Sequence, residues 1–252
     1  MYQEERQKKI LDYVNKHKKV SIKELSEEFN TSVVTIRADL GYLAGQSLLI
    51  KTHGGAMTNS YKINDIIPSD IKFETRVKEK KYIADIAKRY LNKGDIVIID
   101  SGSTTLELAK AISTEELVIY TNDLQIGVEL AKKPSVSLNI SGGEMIKGVY
   151  TFAGYETVSY FENINVDKLF LSCDALDYEF GISNRDRNEI AIKKAMIKAS
   201  KEITLMLDHT KLNKKVAQKV ADASIIDRII VDEIDEETKT KFESLGIEVI
   251  TK

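Results

Sequence analysis

From about residue 74 onward the sequence swings repeatedly between short apolar runs and helical patterns, and that alternation restricts the fold more than any other feature. The segment RVKEKKYIADIAKRYL reads as a helix, followed by strand 95–100, helix 104–112, strand 117–121, helix 123–132 and strand 136–140. A Gly142-Gly143 turn and the stretch IKGVYTFAG interrupt the pattern. It resumes with strand 167–172, helix 187–200, strands 202–208 and 227–231, helix 235–245 and strand 247–251. Apolar β runs separated by helices build a mostly parallel sheet covered on both faces. Ligands of such sheets sit at the carboxyl ends of the strands. The expected class of this part, residues 74–252, is therefore α/β.

Residues 1–57 obey a different rule. Ile10, Leu11 and Val14 recur at helical spacing, and SIKE opens a second helix in which Ser21 and Glu24 form a capping box. Ile22, Leu25 and Phe29 give that helix its apolar side. After the NTS turn, Ser32 caps a third helix with Ile36, Leu40 and Leu43 facing inward. SLLIKTHGGAM then supplies two short extended runs around His53-Gly54-Gly55. Three helices and a small hairpin are the plan of a winged helix-turn-helix. Residues 58–73 show no sustained period and contain Pro68, so they read as a linker.

Two stretches carry chemistry. In SVVTIRADLGYL, if Ile36, Leu40 and Leu43 face the core, then Val34, Thr35, Arg37, Ala38 and Gly41 fall on or near the open side. That side suits a DNA major groove, with Ser32 and Thr35 near phosphate and Arg37 reaching a guanine edge or a phosphate. A solvated helix with an incidental arginine is the plainer reading of the stretch alone. The second stretch is IDSGSTTLELAK. Its turn from Ser101 through Gly102, Ser103 and Thr104 to Thr105 points backbone N–H groups at the start of a helix, where a phosphate is stabilised. Ordinary strand-to-helix connections use the same residues as caps.

Charge does little to separate the two parts. Residues 1–57 hold nine lysines and arginines against seven acids, a net of +2, whereas the whole chain of 252 residues carries −2. No global basic field marks a nonspecific polyanion binder. Cys173 is the only cysteine, which excludes an internal disulfide and a thiolate zinc cluster. No apolar run approaches the roughly 18 residues needed to cross a bilayer, and the charged start MYQEERQKKI shows no signal peptide. A cytoplasmic protein without a membrane partner, metal or cofactor is expected.

TIRADL together with LLIKTHGGA resembles the N-terminal signature of the DeoR family of bacterial transcription regulators. IDSGSTTLELA, YTND, SGG, GISNRDRNEIAIKKAMI and LDHTK are similar to that family's sensor domain, in the same order. The resemblance implies a DNA-binding regulator, most simply a repressor of a carbohydrate operon. Its partners would be operator DNA and a phosphorylated sugar, and it would form a homodimer or homotetramer. It adds Lys51 and His53 to the DNA contacts and a fold like ribose-5-phosphate isomerase to the sensor. There, Asp100, Thr121, Asn122, Gly142, Gly143, Asp174, Glu189, Lys193, Asp208 and Lys211 join the turn as effector residues. Lys211 would be the counter-charge to the phosphate, while Asp174, Glu189 and Asp208 would accept sugar hydroxyls.

Departures from the family pattern are informative. Ala38 stands where a second arginine is usual, Ser47 replaces a glycine, and Lys51 replaces a wing arginine, losing the planar fork. Typical members read F-I-G-A-D-G-I-D where this chain has FLSCDALD, so Ser172 and Ala175 add volume where backbone approaches a ligand. An isomerase needs a carboxylate base with a nearby lysine. Of the isomerases' acidic stretch only Asp174 remains, and EFGISNRDRN before Glu189 has no lysine. A polar shell without the paired catalytic set favours a sensor over the alternative, a sugar-phosphate isomerase with a vestigial DNA-binding domain.

Overall fold

A computed structural model of the chain describes residues 2–45, 48–52, 54–58, 69–113, 116–146 and 148–252. It divides into two compact units, one spanning residues 1–67 and 71–75, the other 68–70 and 76–252.

In the first unit, helices α1 (Gln3–His17), α2 (Ile22–Glu28) and α3 (Val33–Gly45) are joined by β1 (Lys19–Ser21), β2 (Leu49–Lys51) and β3 (Gly55–Thr58). The strands form an antiparallel sheet in the order β1-β3-β2. The Ser21–Glu24 capping box is present, its hydroxyl accepting Glu24 N–H at 3.1 Å and the glutamate accepting Ser21 N–H at 3.3 Å. Ile10, Val14, Ile22, Leu25, Ile36, Leu40, Leu43, Leu49 and Ala56 make one core, with Phe29 packed at its margin. Val20 on β1, a strand too short to show an alternating pattern, joins that core. Gly55 is required by β1: a Cβ there would lie 1.9 Å from Val20 O.

The stretch read as a linker is more ordered than expected at both ends. Thr58 completes β3, and α4 occupies Ser69–Glu74. A six-residue helix spans fewer than two turns, so it leaves no period to detect. Residues 59–68 lie outside the described residues.

The second unit opens with α5 (Val77–Ala87) and then alternates: β4 (Ile96–Ile99), α6 (Ser103–Ala111), β5 (Leu117–Thr121), α7 (Leu124–Leu130) and β6 (Val136–Ile140). The hairpin β7 (Glu144–Ile146) and β8 (Thr151–Ala153) leads into α8 (Tyr155–Glu162) and β9 (Val166–Leu171). A second hairpin, β10 (Ala175–Asp177) and β11 (Gly181–Asn184), precedes α9 (Arg187–Ala199) and β12 (Ser200–Leu207). β13 (Gln218–Ala221) pairs with β11, and β14 (Arg228–Val231), α10 (Glu236–Glu243) and β15 (Glu248–Ile250) complete the unit.

Seven strands form one parallel sheet in the order β15-β14-β12-β9-β4-β5-β6. Side chains of both parities are buried. Ile98, Leu169, Leu171, Leu205, Leu207, Ile229 and Val231 join a core with Ile192 and Met196 of α9, Phe161 of α8 and Phe242 of α10. Their strand neighbours Val97, Ile99, Phe170, Met206 and Ile230 are buried as well. Adjacent residues of a strand point to opposite faces, so both faces are covered. The chain runs outward from the centre twice, first β4-β5-β6 and then β9-β12-β14-β15. The direction of winding therefore reverses between β4 and β9, and the carboxyl edge at such a point is where sheets of this kind hold a ligand in a crevice.

Helix α8 and the short antiparallel strands were not expected. Thr157 and Phe161 bury α8, so one of its two inward positions is polar and the apolar stripe is broken. In β11 the buried residues include Ser183 and Asn184, which hides the strand from a hydrophobicity reading.

Candidate effector crevice and DNA-reading face

Asp100 follows β4 and Ser172 follows β9, so the two residues flank the reversal point. Asp100 Oδ2 accepts Ser172 N–H at 2.9 Å and the ammonium of Lys193, which projects from α9. Lys193 also lies 3.2 Å from Ser172 O and 3.3 Å from Ser172 Oγ. Both charged side chains are 1 % exposed. Burial lowers the Lys193 pKa, but Asp100, Glu189 and Asp174 outweigh it and hold the ammonium above its ordinary value. The lysine is thus not the surface residue that its place on an amphipathic helix would permit, and Asp100 is not a helix cap.

Ser172 corrects the volume argument made from sequence. Its hydroxyl folds back to lie 2.9 Å from Asp100 Oδ2 and 2.6 Å from Ser101 O, while Ala175 is buried in the β10–β11 hairpin. The close approach falls instead on Gly102, where a Cβ would meet Ser172 Cβ and Oγ at 2.9 Å. Ser103, Thr104 and Thr105 follow as the first turn of α6, all buried, with Thr105 Oγ1 donating to Gly102 O at 2.9 Å. The first N–H groups of this nine-residue helix have no intrahelical acceptor, and Gly102 at its N-cap supplies no side-chain cap.

The neighbouring strand ends add the remaining polar groups. Thr121, the last residue of β5, and Asn122 after it are buried. Asp123, which sequence reasoning did not assign to the site, caps α7 by accepting Gln125 N–H at 2.8 Å and Ile126 N–H at 3.0 Å. Burial, with the charges of Asp100 and Glu189, pushes its carboxyl up to about 7 against the pull of those two N–H groups. Asn184, also unassigned from sequence, donates to Glu189 Oε2 at 2.6 Å. Asp174 accepts Arg185 N–H at 3.0 Å and pairs with its guanidinium at 3.2 Å.

Lys211 donates to Cys173 O at 2.7 Å, so its ammonium is tied to the end of β9. Burial pushes the Asp208 carboxyl up, yet Lys211, Thr210, Arg76 and Lys80 together hold it below the usual range. His209 Nδ1 lies 2.7 Å from Oδ2 of buried Asp232. Gly143 (φ 113°) packs where a Cβ would meet Thr157 Oγ1 at 2.3 Å, which accounts for one of the two glycines by packing.

Among the described residues, the buried side-chain atoms without a hydrogen-bond partner are Asp100 Oδ1, Thr104 Oγ1, Asn122 Oδ1, Ser135 Oγ, Asn184 Oδ1 and Asp186 Oδ2. All but Ser135 belong to the crevice elements or the start of α9. Four are pure acceptors, so the partner they lack is a donor. No cluster of His, Cys, Asp or Glu with metal-holding geometry occurs among the described residues.

In the first unit, Ser32 caps α3: Thr35 N–H donates to Ser32 Oγ at 3.2 Å, and the two hydroxyls lie 2.9 Å apart. Those hydroxyls therefore serve the helix start. Val34, Arg37 and Ala38 are exposed, and Asp39 points inward to Arg6 and Gln7. Lys51 Nζ lies 3.8 Å from the position a Cβ would take on Gly41, so the wing cation sits beside α3. His53 and Ser47 lie outside the described residues.

Residues 6–62 match the DeoR-like helix-turn-helix domain, and residues 75–233 match the DeoR C terminal sensor domain. The chain is 34 % identical over 228 residues to the uncharacterized HTH-type transcriptional regulator YulB of Bacillus subtilis, covering 90 % of this chain and 88 % of that protein. It is 29 % identical to the glycerol-3-phosphate regulon repressor of Escherichia coli, with 92 % of each covered. Among solved structures, ribose 5-phosphate isomerase from Plasmodium falciparum aligns with a TM-score of 0.39 and 14 % identity, over 53 % of this chain and 52 % of that one. No described helix is long and apolar enough to cross a membrane.

Proposed function

This chain belongs to the DeoR family of transcriptional regulators, and from that premise we propose that it is a repressor whose grip on operator DNA is set by a phosphorylated sugar in the crevice between β4 and β9. As a regulator it binds DNA and is not an enzyme. The observation that carries the effector reading is the set of orphaned acceptors around the Lys193–Asp100 pair. Asp100 Oδ1, Asn122 Oδ1 and Asn184 Oδ1 call for a ligand rich in hydroxyl donors. A phosphate cannot satisfy them, but it suits the free N–H groups opening α6. A polyol carrying one phosphate meets both demands. Glycerol-3-phosphate, whose regulon the Escherichia coli relative represses, is a compound of that chemistry.

Turnover is disfavoured by the same geometry. Asp174, the acid retained from the isomerase-like stretch, is ion-paired with Arg185, and the buried lysine is neutralised by Asp100. Neither is poised to move a proton. The regulator works in the cytoplasm, where operator DNA and sugar phosphates meet. α3 docks in the major groove with Arg37 toward bases and Lys51 toward phosphate, while the N-terminal end of the helix, capped by Ser32 and Thr35, approaches the DNA backbone. One such helix covers only a few base pairs, so a symmetric homodimer or homotetramer reads two half-sites.

Calorimetric titration of the full chain with triose, pentose and hexose phosphates and their unphosphorylated parents tests the effector reading. One phosphorylated compound binds and changes operator affinity by about 1–3 kcal/mol, the ordinary size of such coupling. Gly102→Glu fills the turn with side chain and like charge and abolishes the response while DNA binding persists. Thr104→Val, which keeps volume and removes one orphaned hydroxyl, weakens the ligand. No binding by any sugar phosphate, or an unchanged response in Gly102→Glu, refutes the assignment.

A further inference from the structure

The surface of α3 narrows what the DNA-reading face can recognise. Two stripes at i, i+4 spacing run along it side by side. One is Val33, Arg37 and Gly41, with Lys51 Nζ against Gly41. The other is Val34, Ala38 and Tyr42. Val34 is 75 % exposed, Tyr42 55 % and Val33 39 %, and Ala38 is exposed as well. The hydroxyls of Ser32 and Thr35 are engaged with the helix start, and Asp39 is turned inward under Arg6. Along most of its length the second stripe therefore offers methyl groups and no hydrogen-bonding side chain.

We propose that Val34 and Ala38 read thymine C5-methyl groups, so that each half-site sets thymine beside the base pair contacted by Arg37. The thymine methyl is the apolar feature of the major-groove edges, and small apolar side chains are its partners. Valine in a helix holds one χ1 rotamer, so its methyl surface is presented without ordering cost. Arg37 and Lys51 on the flanking stripe supply the positive charge that brings a duplex onto this face. The proposal rests on the docking of α3 given above.

The test uses the full-length chain and a randomised duplex pool, from which a bound consensus is selected. That consensus is then synthesised with thymidine and with deoxyuridine, which differ only by the C5-methyl group. Wild type loses about fourfold in affinity for each contacted methyl removed, the fold-change equivalent to one buried CH₂ group. In Val34→Ala the thymidine–deoxyuridine difference shrinks toward one at the step that Val34 faces, whereas Arg37→Ala weakens both duplexes in the same proportion. Equal affinity of wild type for the two duplexes overturns the proposal. So does a deoxyuridine penalty left unchanged by both Val34→Ala and Ala38→Ser. If Arg37→Ala and Val34→Ala both bind the consensus as wild type does, the docking of α3 has failed, and the methyl reading fails with it.

Discussion

Each unit buries an ion pair, and the two pairs are finished to different degrees. In the DNA-reading unit Asp39 of α3 is 1 % exposed; its Oδ2 takes Arg6 Nε at 2.5 Å and its Oδ1 takes Gln7 Nε2 at 3.0 Å. Both carboxylate oxygens are satisfied, and Arg6 keeps contact with solvent. In the sensor unit Asp100 spends one oxygen on Lys193 and Ser172 and leaves the other bare. Every orphaned buried side-chain atom among the described residues lies in the sensor unit. A completed network fixes one arrangement, here the orientation of α3 on α1. An incomplete one is high in free energy until something else completes it. The difference separates a part whose buried polar groups are fully paired from a part that keeps several of them unpaired, as the effector proposal requires.

The largest effect tests that contrast directly. Lys193→Met strands the Asp100 carboxylate in the core and costs about 3–5 kcal/mol. Arg6→Met removes a partner that is itself 14 % exposed and leaves Asp39 the Gln7 amide, so it costs less, about 1–2 kcal/mol. Calorimetric scans of the two variants check the ranking, and Asp100→Asn in the Lys193→Met background regains most of the loss. Equal costs for Lys193→Met and Arg6→Met would erase the distinction between the two pairs.

Asp123 sharpens the comparison through pH. Its folded pKa, about 7, lies above the ordinary carboxylate value of 3.8. The folded state therefore binds the proton more tightly than the unfolded state does. Stability from this group is fully present below about pH 4, falls as pH rises through 7, and is lost above it. Asp123→Asn keeps an N-cap acceptor for α7 and removes the titration. The variant matches wild type near pH 4 and exceeds it at pH 8 by a few kcal/mol, to an order of magnitude. Parallel stability–pH curves for the two proteins would show that burial does not raise the Asp123 carboxyl.

On the DNA side the effects are smaller and fall on binding, not folding. Arg37→Ala costs about 1–3 kcal/mol of operator affinity where it reads a guanine, with the loss confined to specific sequence. Lys51→Ala weakens all sequences alike and makes the salt slope shallower by about one unit. Operator titrations across salt concentrations separate the two. A melting change in either variant as large as that of Lys193→Met would place these residues in the fold instead of on its surface.

Much of the architecture was legible because apolar periodicity carries it. β5 and β6 occupy the expected residues 117–121 and 136–140, and the Ser21 capping box and the Ile36, Leu40 and Leu43 face are where the pattern puts them. What escaped depends on polar burial or distant partners. α8 buries Thr157, and β11 buries Ser183 and Asn184, so neither advertises an apolar face. The candidate effector residues were named as types at strand ends, but the partners they take up in the fold were not. Nothing near Lys193 in sequence reveals that it is buried against Asp100, nor that Ser172 turns its hydroxyl to Asp100 and Ser101 O. Asp123 sits in the quoted YTND stretch, but that it caps α7 and that burial, with Asp100 and Glu189, raises its carboxyl is not visible there.

The winding of the sheet also imposes an order in time. Arg6 and Asp39 are separated by 33 positions, whereas Asp100 and Lys193 are separated by 93. At roughly 5–20 residues per second of synthesis, the second gap lasts about 5–20 s. During that interval Asp100 has emerged without its counter-ion, and burying it alone is prohibitive, so the end of β4 must stay in water. The first unit meets no such delay, because its core closes within the first 58 residues. A growing chain accordingly completes its DNA-reading face well before its sheet can close around the crevice.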